Sequence, residues 1–273
     1  MKKSIILAVA AASIFTLKTN AQHTLQKIWA TDTVLATPES VLPEKNIMYV
    51  SLIDGGAWDK DGKGGVGKLT PSGKVVDTKW ITGLNAPKGM GIVGDKLYVA
   101  DVDVVVVISI SKGKIDHKIA VPGSSELNDI TVDGKGNVYV SDTNEGLVYK
   151  IANDKPEVYL ENLKGANGLK AVGDKLYIVD GDGMYVTDAA KKLTKITDLP
   201  HGGDGIEPIG NGDFLVTEWV GYFYYVHADG KKDLLLDTHT TNNRTADIGY
   251  DPVKKIVYLP TFLSKSVVAY RVK

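Results

Sequence analysis

Residues Asp95–Asp103 read DKLYVADVD, and Asp174–Asp182 read DKLYIVDGD. Each is a tight polar turn, a short run of β-formers around a tyrosine, and an acid where the run ends. Four further segments share the layout: NIMYVSLID (Asn46–Asp54), GNVYVSDTN (Gly136–Asn144), GDFLVTEWV (Gly212–Val220) and KIVYLPTFL (Lys255–Leu263). Their central aromatics, Tyr49, Tyr98, Tyr139, Tyr177, Phe214 and Tyr258, are spaced by 49, 41, 38, 37 and 44 residues. Most are followed closely by a second β-rich run, such as VVVVISI (Val104–Ile110) or YFYYVHADG (Tyr222–Gly230).

A repeat near 40 residues that holds several short strands is the pattern of a β-propeller blade, and six repeats give six blades. A β-sandwich does not repeat so regularly, and a β-helix repeats over far fewer residues. No convincing amphipathic helix appears after the first 21 residues. The expected fold is therefore all-β, a six-bladed β-propeller. The last unit, from Ala246 onward, has only three strand-like pieces, and TLQKIWATD (Thr24–Asp32) offers a fourth. The N-terminal strand is expected to close the last blade and so remove a free sheet edge.

The first residues read as a secretory signal peptide: Lys2 and Lys3, an apolar run from Ile5 to Leu17, then Thr19-Asn20-Ala21 before Gln22. The apolar run is too short to span a bilayer. Cleavage near Ala21 leaves residues 22–273 as a single domain, expected in the periplasm or secreted. The chain has no cysteine, which excludes disulfides and lipid attachment to a cysteine. Net charge is −1, and about −4 once Lys2, Lys3 and Lys18 are removed. That balance argues against a nucleic-acid partner. A monomer without membrane insertion is expected.

Ten or eleven residues before each central aromatic stands one polar residue: Glu39, Lys88, Asn128, Asn167, Asp204 and Asp247. In a propeller the first strand of each blade lines the central channel, so these side chains converge on one mouth. Gly89, Gly168 and Gly205 beside them allow close backbone approach. Converging carboxylates repel unless a cation or protons compensate. Carboxylate and amide oxygens suit a hard divalent ion, Ca²⁺ first, with Mg²⁺, Mn²⁺ and Zn²⁺ as alternatives. Any one such Asn or Asp is explained by turn chemistry; six in register favour a site. Lys88 and Asp247 could also pair across the channel. The acids Asp101, Asp142, Asp180 and Glu218, which end the central strands, read as blade-building residues that tie a turn.

These slots resemble the gluconolactonase / senescence-marker-protein / luciferin-regenerating-enzyme family of six-bladed propellers, over essentially the whole chain after the signal. The resemblance implies that Glu39 in PES, Asn167 in NG and Asp204 in DG hold one divalent metal, with Asn128 in ND on the substrate side. Lys88 and Asp247 join Asn128 as substrate-side candidates. The implied activity is hydrolysis of sugar lactones or related esters, with the metal polarising the carbonyl and Asp204 taking a proton from the attacking water. Lys88 or His201 could assist. Two positions depart from the family pattern: ESVLP replaces EGP, and Glu126 stands where an arginine usually precedes the substrate-side Asn. The repeats are also similar to the NHL group, which implies instead a non-catalytic propeller binding a glycan or peptide ligand. An eliminating lyase would want a basic histidine near the metal, for which only His201 offers itself. Trp219 reads as packing, or as a stacking platform for a sugar.

A remote alternative is nucleotide binding through residues 62–70, where Gly62, Gly67 and Lys68 nearly match a phosphate-binding loop. Leu69 stands where Ser or Thr is required, and TPSGKVVD after it reads as turn and strand rather than helix.

Overall fold

Six four-stranded antiparallel sheets follow one another along the chain in the computed structural model, which describes residues 23–273. The signal peptide expected over residues 1–21 lies outside the described residues. Five blades run from inner to outer strand in chain order, over residues 38–84, 87–120, 127–160, 169–198 and 206–237. The sixth takes Gly249–Asp251, Ile256–Pro260 and Val267–Val272, and its outer strand is Leu25–Ala30, paired from Leu25↔Val272 to Ala30↔Val268. The N-terminal strand therefore closes the ring as expected. Among the described residues, the one helical element is the 3-10 turn Phe262–Ser264, and no helix is long and apolar enough to cross a membrane.

The apolar core is divided into wedges, each shared by two blades. One joins Tyr98, Val105 and Val107 of blade two to Ile130, Val140 and Tyr149 of blade three. Another joins Val50 and Leu69 of blade one to Tyr258 and Ala269 of blade six. A strand covered on both faces needs no polar alternation. This is why Val104–Ser109 reads VVVVIS: Val105 and Val107 face blade three, while Val106 and Ile108 face blade one.

The recurrent aromatics share one register in five blades. In blade five that register belongs to Leu215, which packs toward blade six. Phe214 packs backward onto Tyr177 of blade four, with ring centroids 4.5 Å apart. The fifth repeat is thus offset by one residue from its apparent alignment.

The blade acids tie turns as expected. Asp101 accepts from Asn85 N and Ala86 N at 2.8 and 2.9 Å. Asp142 accepts from Ser125 N at 2.8 Å and Glu145 N at 2.9 Å. Asp180 accepts from Lys164 N at 3.3 Å, and Glu218 from His201 N at 3.3 Å. Asn85, Ser125, Lys164 and His201 each stand three residues before a channel-mouth slot, so each acid anchors the loop that delivers a slot residue. Replacing Asp142 by Ala leaves two part-buried amides, Ser125 N and Glu145 N, unpaired. Asp142→Ala is expected to cost about 2–4 kcal/mol and lower Tm by roughly 5–10 °C. Thermal or urea denaturation checks this; a loss below about 0.5 kcal/mol would contradict the anchoring role.

Candidate active site at the channel mouth

The inner strands begin irregularly. Pairing slips between Pro38 and Val41, between Pro87 and Met90, and between Leu127 and Ile130. Such slips re-aim side chains and leave amides outside the ladder. Hydroxyls on the second strands take up those amides: Ser51 Oγ accepts from Ser40 N and Ser141 Oγ from Asp129 N, both at 2.9 Å. Thr217 Oγ1 accepts from Gly205 N at 2.8 Å. The residues just before these amides, Glu39, Asn128 and Asp204, are thereby fixed at the channel mouth.

Glu39, Lys88, Asn128, Asn167 and Asp204 line one pocket of about 460 Å³. Glu39, Lys88, Asn128 and Asp204 are nearly sealed from solvent, from 2 % exposed at Asp204 to 6 % at Asn128. Asn167 is half-buried, lines the same pocket as Asp204 and favours the ionised form of that carboxyl. Asn128 Nδ2 donates to Thr143 Oγ1 at 2.9 Å, and Thr143 Oγ1 donates to Ala166 O at 2.9 Å. The Lys88 ammonium lies 4.1 Å from the Trp58 ring centroid.

Asp247 does not belong to this ring. Ala246 N bonds Pro260 O, just as Asn167 N bonds Val179 O and Asp204 N bonds Thr217 O, so Ala246 holds the sixth slot. Asp247 instead bridges to Ser40, whose Oγ donates to its carboxylate. It occupies the next layer of the channel with Asp129, which accepts from Ile130 N and Leu169 N, both at 2.6 Å. Gly89 and Gly205 share that layer because there is no room for more: a Cβ on Gly89 would lie 2.5 Å from Asp129 Cα, and one on Gly205 3.0 Å from Asp247 Cα. Farther along the strands, Lys170 and Glu207 form an ion pair at 2.7 Å. The pairing of Lys88 with Asp247 across the channel is therefore corrected. Lys88 answers to Glu39 and Asp204, and Asp247 to Ser40.

His201 is exposed, stacks on Tyr222 at 5.1 Å between centroids, and does not line the pocket. Residues Gly64–Leu69 form a strand paired on both sides, and the next element is another strand. With no helix N-terminus to receive phosphates, the nucleotide-binding alternative is withdrawn.

Charge in the pocket is unbalanced. Burial pushes the Glu39 carboxyl well above its ordinary range; Lys88 offsets part of this, while Asp204 and Asp247 add to it. Burial raises Asp204 to about 7 against the pull of Lys88 and Asn167. Burial likewise raises Asp247 to about 8, opposed by Ser40 and reinforced by Asp204 and Glu207. Glu39 Oε2 is buried with no hydrogen-bond partner. An orphaned carboxylate oxygen beside a second carboxylate and an amide oxygen is a donor set that fits a hard divalent cation.

Sequence reading did not find the rim: Ala57, Trp58, Thr143, Phe262 and Leu263. Thr143 and Trp219 directly follow the acids Asp142 and Glu218, a register that could have marked both. Trp58 comes from the long loop between Leu52 and Gly64, and Phe262 and Leu263 from the 3-10 turn, where no repeat guides the eye. Trp219 is 37 % exposed, with Phe262 edge-on at 5.5 Å and the Arg244 guanidinium 4.8 Å from its ring.

The fold and the convergent mouth define a six-bladed propeller whose axial pocket has buried polar groups within a largely apolar rim. No family model and no curated protein matches the chain. Solved structures do share its fold. A candidate gluconolactonase from structural genomics matches with a TM-score of 0.69 at 12% identity, covering 93% of each chain. Luciferin-regenerating enzyme matches with a TM-score of 0.62 at 16% identity, covering 92% of this chain and 95% of that one. A catalytically inactive His-to-Ala variant of virginiamycin B lyase from Staphylococcus aureus, solved with quinupristin, matches with a TM-score of 0.63 at 14% identity, covering 92% and 99%.

The raised carboxyls set a pH dependence. In the folded chain Asp204 and Asp247 hold their protons to about 7 and about 8, above the ordinary 3.8. Their contribution to stability is full below the ordinary value and is lost as pH rises through the folded values. The metal-free protein should therefore melt at a lower temperature at pH 8.5 than at pH 5.5, and Asp204→Asn should flatten the difference. Scanning calorimetry in chelator checks this; a wild-type Tm that is flat or rising over that interval would contradict it.

Proposed function

We propose that this chain is an extracytoplasmic, metal-dependent hydrolase of lactones or related esters, akin to the gluconolactonase-type propellers. The observation that carries this reading is the orphaned Glu39 oxygen, buried beside Asp204 in a pocket that also holds Lys88. The likeness in fold to a candidate gluconolactonase and to luciferin-regenerating enzyme supports it. The extracytoplasmic location rests on the signal-like first 21 residues.

Glu39, Asn167 and Asp204 are the residues that would hold one divalent ion, Ca²⁺ in the first instance. Bound there, the ion supplies Lewis acidity to the carbonyl oxygen of the ester. The chain's own groups supply the rest. Asp204 accepts a proton from the attacking water. The water oxygen bonds to the carbonyl carbon, the ester C–O bond breaks, and the proton passes from Asp204 to the leaving oxygen. Lys88, held over Trp58, balances the negative charge that develops on the carbonyl oxygen. Asn128, fixed by Thr143, orients the substrate. The rim of Trp58, Trp219, Phe262 and Leu263 suits an ester or lactone with an apolar portion better than a bare sugar lactone.

Two other readings use the same mouth. A lyase is supported less, because none of the described residues lining the pocket is a histidine and His201 is turned onto Tyr222. A non-catalytic receptor for a glycan or peptide draws support from the exposed face of Trp219, a surface on which a sugar ring could stack.

Assays on a panel of aliphatic and aryl-substituted lactones and esters, with Ca²⁺, Mg²⁺, Mn²⁺ or Zn²⁺ supplied, distinguish these readings. The hydrolase account expects turnover that is lost in chelator, restored by metal, and reduced at least about 100-fold in Asp204→Ala. Full activity in Asp204→Ala, or no turnover with any of the four ions, would count against it.

A further inference from the structure

A second group of ligating side chains lies away from the mouth, where the closing strand meets the outer hairpin of blade five. His23 precedes the closing strand Leu25–Ala30. His227 follows the strand Tyr222–Val226, and Asp233 lies on Lys232–Asp237. His23 Nδ1 is 2.9 Å, and His227 Nε2 3.2 Å, from the same oxygen, Asp233 Oδ2. One ligand atom from each residue lies within 4.8 Å of those of the other two. The three side chains are about one-quarter to one-third exposed, so an ion can reach them.

The imidazoles are held in place before any ion arrives. The His23 ring lies flat on Tyr225, with centroids 3.5 Å and planes 7° apart, and His227 packs on the same tyrosine at 4.8 Å. Tyr225 is itself anchored, its hydroxyl donating to Asp213 at 2.7 Å. A tetrahedral ion bound at about 2.0–2.2 Å by nitrogen and oxygen sets its ligand atoms roughly 3.3 Å apart. The two separations from Asp233 Oδ2 are close to that spacing, and an ion would replace the hydrogens now shared between the imidazoles and the carboxylate.

We propose that His23, His227 and Asp233 form a second metal site, of the zinc type, that fastens the closing strand to blade five. Its chemistry separates it from the mouth. The mouth offers oxygens to a hard ion, whereas two imidazoles and one carboxylate select Zn²⁺ or a similar transition ion over Ca²⁺. Its place gives it a use. The outer edge of the closing strand is largely exposed at Gln26, Lys27 and Ile28, and among the described residues its one ladder partner is the strand Val267–Val272. An ion bound across to blade five adds a tie between chain start and ring that only the folded state can make. The proposal is independent of any activity at the mouth.

The test is Zn²⁺ and Ca²⁺ titration by calorimetry of the chelator-stripped full chain, as wild type and as Asp204→Ala, with Tm followed in parallel. Asp204→Ala weakens the mouth, so it should retain one Zn²⁺ per chain, take up no Ca²⁺ at this site, and gain roughly 5 °C or more in Tm with saturating Zn²⁺. His227→Gln keeps a donor for Asp233 and should leave the metal-free Tm unchanged, yet weaken Zn²⁺ at least tenfold and abolish the Tm gain. Co²⁺ added to wild type should give the visible bands of a four-coordinate site, and His227→Gln should lose them; this arm does not depend on the folding of Asp204→Ala. If Zn²⁺ affinity and the Tm gain survive both His227→Gln and His23→Gln, or if no Zn²⁺ binds at sub-millimolar concentration, the cluster is a hydrogen-bonded network and the proposal fails.

Discussion

Every blade of this protein depends on its neighbours, because each sheet is apolar on both faces and no blade can bury both alone. Val104–Ser109 makes the point at the level of single residues: alternate valines reach opposite wedges, one shared with blade three and one with blade one. Such a chain is satisfied only when the ring closes. Closure in turn needs the N-terminal strand, which supplies the outer edge of a blade whose other strands come from the C-terminus. The same constraint brings six inner strands to one axis. The mouth follows from the packing, and its contents follow from which side chains stand where those strands begin.

At that mouth the chain sustains an electrostatic cost that packing alone does not require. Glu39 and Asp204 are desolvated side by side, Lys88 contributes one positive charge, and one Glu39 oxygen has no hydrogen-bond partner. Among the other buried acids, Asp129 and Asp142 each accept from at least two backbone amides; Asp101 accepts two on Oδ1 while its Oδ2, like Glu39 Oε2, has no partner. What sets Glu39 apart from Asp101 is its setting: it shares a pocket with the Asp204 carboxyl, whereas Asp101 is tied to the amides of a turn. That setting also explains the supporting detail, since the slipped inner strands, the Ser51, Ser141 and Thr217 hydroxyls and the blade acids all hold the loops and strand starts that present the slots.

The period and polarity of the repeats made the propeller and its closure legible, because both are consequences of local strand and turn chemistry. Four polar slots that line the mouth with Glu39 were legible for the same reason, recurring at a fixed distance from a strand. The misplacements have a common cause. Asp247 and Phe214 each sit one residue out of register, where a turn of different length shifts a strand start, and counting along the chain cannot detect a shift that only pairing with Ser40 or Tyr177 reveals. Trp58, Phe262 and Leu263 come from loops peculiar to single blades. Their convergence over the pocket is a tertiary fact that no repeat encodes.

The most direct test of the account is a crystal structure of the protein grown or soaked with Ca²⁺. The account predicts one ion at the channel mouth, ligated by Glu39, Asn167 and Asp204 at about 2.3–2.6 Å, with the Glu39 oxygen that lacks a partner now on the metal. Crystals that bind Ca²⁺ only elsewhere, or that leave Glu39 and Asp204 without a cation between them at saturating Ca²⁺, would contradict it.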